Sequence, residues 1–524
     1  MRLFVAISAV IVGLVGTLRG QAVSQPPISL VVLVSVDQMR ADYLARFAPQ
    51  WTGGFARIYR GGTVFEHGEQ DHAATETAPG HSTMLSGRYP AHTGIALNSR
   101  GVQDPTSPVL GASDTIGASP RRFQGSTLYD WLRARDPETR VLSVSRKDRA
   151  AIFPIGRARV PVYWLYNGAF TTSRYYTDSL PTWVQAFNRR IDVNGLTNIT
   201  WNLLLPESAY AEPDSVMFEN GGADFTFPHR PVTVPGAAAR RLNQLPWIDS
   251  LTLAFAIEGA QVLGLGRRGR PDLLSISLST TDAVGHAFGP DSREIHDQLL
   301  RVDRWLGQFL DSLGRLVPQA NTVVVLTGDH GVTSMPEYTV TVGHRPAGRV
   351  WLGGLTRGFD RSFGIEMDGG LLIANLDSLH SRGVNVDSLA QTLAAEAMSV
   401  PGVAQVYTPR TLAQAAATDP TATLWRHLLP SSLGWLFCAN TKPDYVWSSG
   451  GLDAEHGTAN RDDIAVPIAF YGAGIRAQRV AHPVSTVDIA PTLAALIGVS
   501  PTEPLDGRVL DEVLSQVRSA ARRE

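Results

Sequence analysis

Three apolar, β-branched runs in this chain each lead into an aspartate, and this pattern constrains the fold more than any bulk property does. The run at 29–36 ends in Val34-Ser35-Val36 and meets Asp37. The run at 273–279 meets Thr280-Thr281-Asp282-Ala283-Val284-Gly285-His286. The run at 322–326 meets Thr327-Gly328-Asp329-His330-Gly331. Similar runs lie at 140–145 and 466–471. Uninterrupted apolar runs of this length read as strands buried on both faces, as in a parallel sheet. Amphipathic helical stretches alternate with them, at 294–313, 386–398 and 489–496 among others. The expected fold is therefore α/β, a mostly parallel central sheet with helices on both faces. Ligands of such sheets bind beyond the carboxyl ends of the strands, where the three aspartates fall.

Composition sets the boundaries of this reading. Of 524 residues, 44% are hydrophobic and 18% charged, which is ordinary for a globular chain. The net charge of -2 carries no basic footprint for nucleic acid. Met1-Arg2, an apolar run to Leu18 and Arg19-Gly20-Gln21-Ala22 have the layout of a secretory signal, with cleavage expected after Ala22. That run is short for a span of about 20 apolar residues. A periplasmic or secreted protein, soluble after cleavage, is expected, with a monomer as the default. The single cysteine, Cys438, sits among apolar residues and reads as buried filler. Residues 23–524 are expected to form one catalytic domain. Two stretches fit its strand–helix pattern poorly, at about 161–240 and 338–450. They read as insertions forming a cap or rim, or as one separate domain built from two segments.

The aspartate clusters carry metal-ligand chemistry. With Asp453-Ala454-Glu455-His456-Gly457 near the C-terminus, they offer three carboxylates (Asp37, Asp282, Asp329) and three imidazoles (His286, His330, His456). Zinc takes mixed His and Asp ligands, about four per ion, so six ligands for two ions leave positions open for a nucleophile and substrate. Each cluster alone is weak, since a strand-end aspartate is often a helix cap and Asp-His-Gly is often a turn. Their order and context carry the inference. His72, His92, His344 and His427 lack that context and read as structural or surface residues.

Between the first two clusters lies Glu76-Thr77-Ala78-Pro79-Gly80-His81-Ser82. Pro79 suits the first turn of a helix running through Leu85, which puts Thr77 at or just before its N-terminus. Free backbone N–H groups and the positive dipole end favour an anion there. On this segment alone Thr77 is better explained as a helix cap. A metal site flanking it makes it a candidate nucleophile, because a bound metal supplies the activation that a threonine hydroxyl lacks at neutral pH.

Taken together, Asp37, Thr77, Asp282/His286, Asp329/His330 and His456 resemble, in order and context, the motifs of the alkaline phosphatase superfamily. The nearer resemblance is to its PafA-type, phosphate-irrepressible bacterial branch and the related nucleotide pyrophosphatase/phosphodiesterases. The segment Gly168-Ala169-Phe170-Thr171-Thr172-Ser173-Arg174-Tyr175-Tyr176 looks like the PafA branch. The resemblance implies an exported two-zinc phosphatase acting through a phosphothreonine on Thr77. One Zn2+ would be held by Asp282, His286 and His456, and the other by Asp37, Asp329 and His330 with Thr77. Asn98 matches the family's phosphate-binding asparagine, and Lys147-Asp148-Arg149 matches the Lys-x-Arg pair of the monoesterase branch. No magnesium site is expected.

The Lys-x-Arg pair has a physical meaning. A phosphate monoester brings a dianion where a diester brings a monoanion. Two charge-assisted hydrogen bonds from Lys147 and Arg149, at roughly 1.5–3 kcal/mol each, would favour the monoester by about 10²–10⁴. A phosphodiesterase of the same superfamily would keep the metal ligands and nucleophile without needing this pair. A sulfatase would need a Cys/Ser-x-Pro-x-Arg segment in place of Thr77-Ala78-Pro79. The remaining alternative is a non-catalytic metal- or phosphate-binding protein.

Overall fold

A computed structural model describes residues 28–113, 115–231, 242–448 and 450–514. The expected signal segment lies outside these residues. A nine-stranded sheet forms the centre. Its first seven strands in chain order are β1 (Leu30–Val36), β2 (Thr63–Phe65), β3 (Val141–Ser145), β4 (Val162–Tyr166), β5 (Ala169–Thr171), β6 (Asp272–Leu278) and β7 (Thr322–Gly328). The chain then builds a separate four-stranded sheet from β8 (Glu366–Asp368), β9 (Leu371–Ile373), β10 (Val403–Tyr407) and β11 (Trp435–Thr441). It returns to the main sheet as β12 (Ile468–Gly472) and β13 (Gln478–Val480). The main sheet runs β13-β2-β12-β7-β1-β6-β3-β4-β5.

The strands β7, β1, β6, β3 and β4 are consecutive neighbours and all parallel. All seven residues of β1 are buried. Leu30, Val32, Val34 and Val36 enter one core cluster, and Val31 and Leu33 enter the opposite one. Two-sided burial is why these strands read as continuous apolar runs rather than alternating ones. Eight helices matter below: α1 (Thr77–Met84), α2 (Asp148–Ile152), α3 (Trp247–Leu263), α4 (Thr280–Phe288), α5 (Arg293–Leu316), α6 (Val386–Ser399), α7 (Pro420–Leu428) and α8 (Ile489–Ile497). Helix α5 lays Leu299, Val302, Leu306 and Phe309 on one face of the sheet, and α8 lays Ile489 and Leu493 on the other.

Two sequence expectations change. The run at 466–471 was expected among the parallel strands, but β12 is antiparallel to β7, pairing Ile468 with Thr327. The reason is topological: the chain leaves β7 at its carboxyl end and re-enters the sheet at that same end, so it must run back. The stretch at 161–240 opens inside the main sheet as β4 and β5. Its Tyr163 and Phe170 rings pack on Phe255, so aromatic residues that read as a rim belong partly to the core. In the stretch at 338–450, β8 to β11 carry α6 against their sheet through Ala390, Leu393 and Ala397. Cys438 is buried in β11.

Candidate active site

The parallel register brings the strand-end residues to one edge. Val36 lies opposite both Gly328 and Leu278. Asp37 and Asp329 therefore leave adjacent strands at one level, with α4 and its Asp282 starting beside them. Lys147 follows β3, the next parallel strand out. Among the described residues, two groups of side chains converge closely enough to hold a metal ion: Asp37, Asp329 and His330, and Asp282, His330 and His456. His330 is common to both. His286 stands one helical turn after Asp282, with Nε2 3.2 Å from Asp282 Oδ1.

The donor set fits a metal. All three imidazoles commit Nδ1 to backbone carbonyls: His330 to Gly331 at 2.9 Å, His286 to Ala454 at 2.6 Å and His456 to Thr75 at 2.6 Å. Such contacts fix the ring and leave Nε2 to act as a ligand. Asp37 Oδ1, Asp329 Oδ2 and His330 Nε2 are buried without a hydrogen bond. Buried polar atoms of this kind call for a partner such as an ion.

The charges in the cluster shift one another. Burial would raise the Asp37 carboxyl, but the Lys147 ammonium 2.7 Å away overrides burial and holds it well below its usual range. Asp282, 2.7 Å from the same ammonium, is pushed down in the same way. Burial works against the charged imidazolium at His286 and His330. Asp282 nonetheless raises His286 to about 9, and Asp329 with Asp37 raises His330 to about 9. A metal on either Nε2 would compete with that proton. His456 moves the opposite way, driven down by burial and by its neighbours His330 and His286.

Thr77 is the first residue of α1 and is buried. Gly80 is what allows α1 to lie so near the sheet edge, because a Cβ there would overlap the Asp329 carbonyl. Lys147 Nζ donates to Thr77 Oγ1 at 3.2 Å and reaches both carboxylates, so it sits at the centre of the cluster. Asn98 accepts from Ala78 N–H through Oδ1 at 2.8 Å, which fixes its amide at the helix start. Arg149 stands apart from these contacts. It pairs with Asp148 at 3.7 Å, and its buried Nε has no hydrogen bond.

This geometry can be set beside known proteins. The family model for type I phosphodiesterase / nucleotide pyrophosphatase matches residues 31–346. The chain belongs to this family. It is similar to alkaline phosphatase PhoK of Sphingomonas sp., with 32% identity over 96% of this chain and 94% of the relative. Alkaline phosphatase PhoV of Synechococcus elongatus is 29% identical, covering 94% of each chain. The crystal structure of wild-type alkaline phosphatase PafA superposes with a TM-score of 0.84 at 28% identity, over 93% of this chain and 99% of that one. The protein is thus a PafA-type alkaline phosphatase with the α/β fold of that group.

Three supporting residues of this phosphatase escaped the sequence reading. Gln38, at φ 62°, donates its backbone N–H to Asp329 and its Nε2 to Asp282, bridging two strand ends. His81 places Nδ1 2.9 Å from the Thr77 carbonyl and 3.2 Å from Asp329 Oδ2. Glu76 accepts from Asn98 N–H at 2.6 Å, and burial raises its carboxyl to about 8. Their available signals were adjacency to Asp37 and Thr77 and, for His81, the i+4 spacing from Thr77 on one helix face.

Proposed function

We propose that the protein is an exported two-zinc phosphatase that cleaves phosphate monoesters through a covalent phosphothreonine on Thr77. The observation that carries this reading is the Lys147 ammonium, which touches Thr77 Oγ1 at the N-terminus of α1 and also reaches Asp37 and Asp282, one carboxylate from each of the two Asp/His groups. Asp282, His286 and His456 would hold one zinc, and Asp37, Asp329 and His330 the other. Bound there, the two ions would supply Lewis acidity to the attacking and leaving oxygens.

The chain's own residues do the rest. The first turn of α1 presents backbone N–H groups to an anion and holds the Thr77 hydroxyl at the same point. Asn98, whose carbonyl end is tied to Ala78, offers its NH2 end to a phosphoryl oxygen. Lys147 and Arg149 match the two negative charges that distinguish a monoester from a diester. Thr77 Oγ1 attacks phosphorus in line, its O–P bond forming as the ester O–P bond breaks. Water then attacks the phosphothreonine, releasing phosphate and restoring the hydroxyl. Positioning and fixed charge are the protein's contribution, as suits a loose phosphoryl-transfer transition state. A solved PafA variant supports the assignment. It carries substitutions at a threonine, at an asparagine 21 positions later (100 − 79) and at a Lys-x-Arg pair. Thr77 and Asn98 have the same separation (98 − 77), and Lys147-Asp148-Arg149 the same pair.

The decisive variant is Thr77→Ala. It is expected to lose nearly all turnover of an aryl phosphate while keeping two zinc ions per chain by elemental analysis. Turnover that survives in the metal-loaded variant excludes Thr77 as the nucleophile.

A further inference from the structure

A cavity of about 430 Å³ lies between the turn that follows Asn98 and the segment leading into β11. Four guanidinium groups line it: Arg100, Arg121, Arg122 and Arg157. Phe123 and Leu433 contribute apolar surface, and no acidic residue is among its lining. The arginines are only partly compensated. Arg121 meets Asp104 at 3.1 Å, but that carboxylate also accepts from the hydroxyls of Thr106, Ser107 and Ser119. Arg100 faces Glu366 at 3.3 Å, with both side chains exposed and screened by solvent. Arg157 has no ion-pair partner among the described residues. Arg122 donates to the backbone carbonyls of Gly101 and Gln103, at 3.2 and 2.6 Å. Those contacts hold the guanidinium in place without neutralising it. Burial, followed by repulsion from Arg121, lowers its proton affinity.

Converging like charges that nearby carboxylates only partly offset store electrostatic energy that an anion releases. Guanidinium is the group best matched to phosphate oxygens, because it donates in a planar fork. The volume falls within the range of small-ligand sites, so it has room for more than one phosphate group.

We infer that this cavity is a second anion site, separate from the Thr77 centre, which takes a phosphate group. That group is either free orthophosphate or the distal phosphate of a bisphosphorylated ester. The site does not depend on the chemistry proposed for Thr77. The turn that brings Asn98 to Ala78 also carries Arg100 into the cavity wall, and Gly101 lies against the Ala78 side chain. The two sites thus share one loop.

Arg157 is the residue to change, because it takes no part in fixing that loop. Equilibrium dialysis of the zinc-loaded protein with labelled orthophosphate should give two equivalents per chain for the wild type. Arg157→Glu should weaken the second by at least about tenfold, the order expected for one lost charge-assisted bond. Arg157→Ala should show a smaller loss of the same kind. The source of the phosphate is read from kcat/KM for fructose 1,6-bisphosphate relative to phenyl phosphate. A fall in this ratio of about tenfold in Arg157→Glu, with phenyl phosphate unaffected, assigns the site to a distal phosphate. Loss of the second equivalent with an unchanged ratio assigns it to free phosphate. Equal phosphate stoichiometry and an equal ratio in wild type and Arg157→Glu overturn the inference.

Discussion

At the scale of single residues, Lys147 has two tasks that pull against each other. Its ammonium balances Asp37 and Asp282, and it also touches the hydroxyl proposed to attack phosphorus. Arg149 carries no such burden, since its nearest carboxylate is its own neighbour Asp148. The two cations should therefore differ on replacement. Arg149→Ala is expected to lower kcat/KM for an aryl phosphate by about 10–10², the value of one charge-assisted contact, and to affect the methyl diester much less. Lys147→Ala should lower both, because it also leaves two buried carboxylates without their cation. Measuring both substrates on both variants checks this. An equal loss on monoester and diester in Arg149→Ala would show that Arg149 does not read the second charge. Thr77 was a candidate in the sequence because it stands at a helix start between metal-ligand clusters, whereas Asn98 and the Lys-x-Arg pair were reached only through the family resemblance. Gln38 and Glu76 were not, because their roles depend on a positive φ in one case and burial in the other, and neither is encoded by residue type.

At the scale of elements, strands were easier to find than their directions. The runs that became β1, β6 and β7 announce two-sided burial, and the acids at their ends announce which edge is used. Nothing in the apolar run of β12 distinguishes parallel from antiparallel, because the pattern of burial is the same either way; only the path of the preceding 130-odd residues, roughly, decides it. The helix α7 shows the same gap between type and role. His427 lacked metal-ligand context in the sequence, and in the structure it stacks on Tyr89 with ring centroids 3.7 Å apart. Its Nδ1 lies 2.8 Å from the Asp71 carbonyl and 3.4 Å from the Asp71 carboxylate, tying α7 to the main core. Burial works against the charged ring, but the Asp71 contacts outweigh it and the His427 pKa is raised. The sign follows directly: a raised folded-state value means the charged tie stabilises fully below the unfolded value of about 6.5. Its contribution is lost as pH rises through the folded value. His427→Gln should thus cost about 0.5–1 kcal/mol near pH 6 and progressively less towards pH 9, as the charged tie is lost with rising pH. Chemical denaturation at the two pH values reads this difference. A cost that grows with pH would contradict the assignment.

At the scale of the whole molecule, the six candidate ligands span 419 positions (456 − 37), from the end of β1 to the loop that follows the four-stranded sheet. A metal pair at this point would tie the first strand, α4, the end of β7 and the His456 loop together. With a single cysteine the chain has no intrachain disulfide to share that work. The cluster also buries three carboxylates, two of them on the Lys147 ammonium, so divalent cations there should balance buried charge as well as bridge segments. Binding to the folded state alone stabilises by about 4.1 kcal/mol at a thousandfold excess over Kd. Chelation is therefore expected to lower Tm by several degrees, and stoichiometric zinc should restore both Tm and activity. Hydrogen exchange should quicken most around His456, whose loop enters the cluster from outside the parallel strands, and least in β1, which is buried along its whole length. If exhaustive removal of metal leaves Tm and the His456 region unchanged, the ions are not a structural tie. The fold would then rest on the two-sided core of the parallel strands alone.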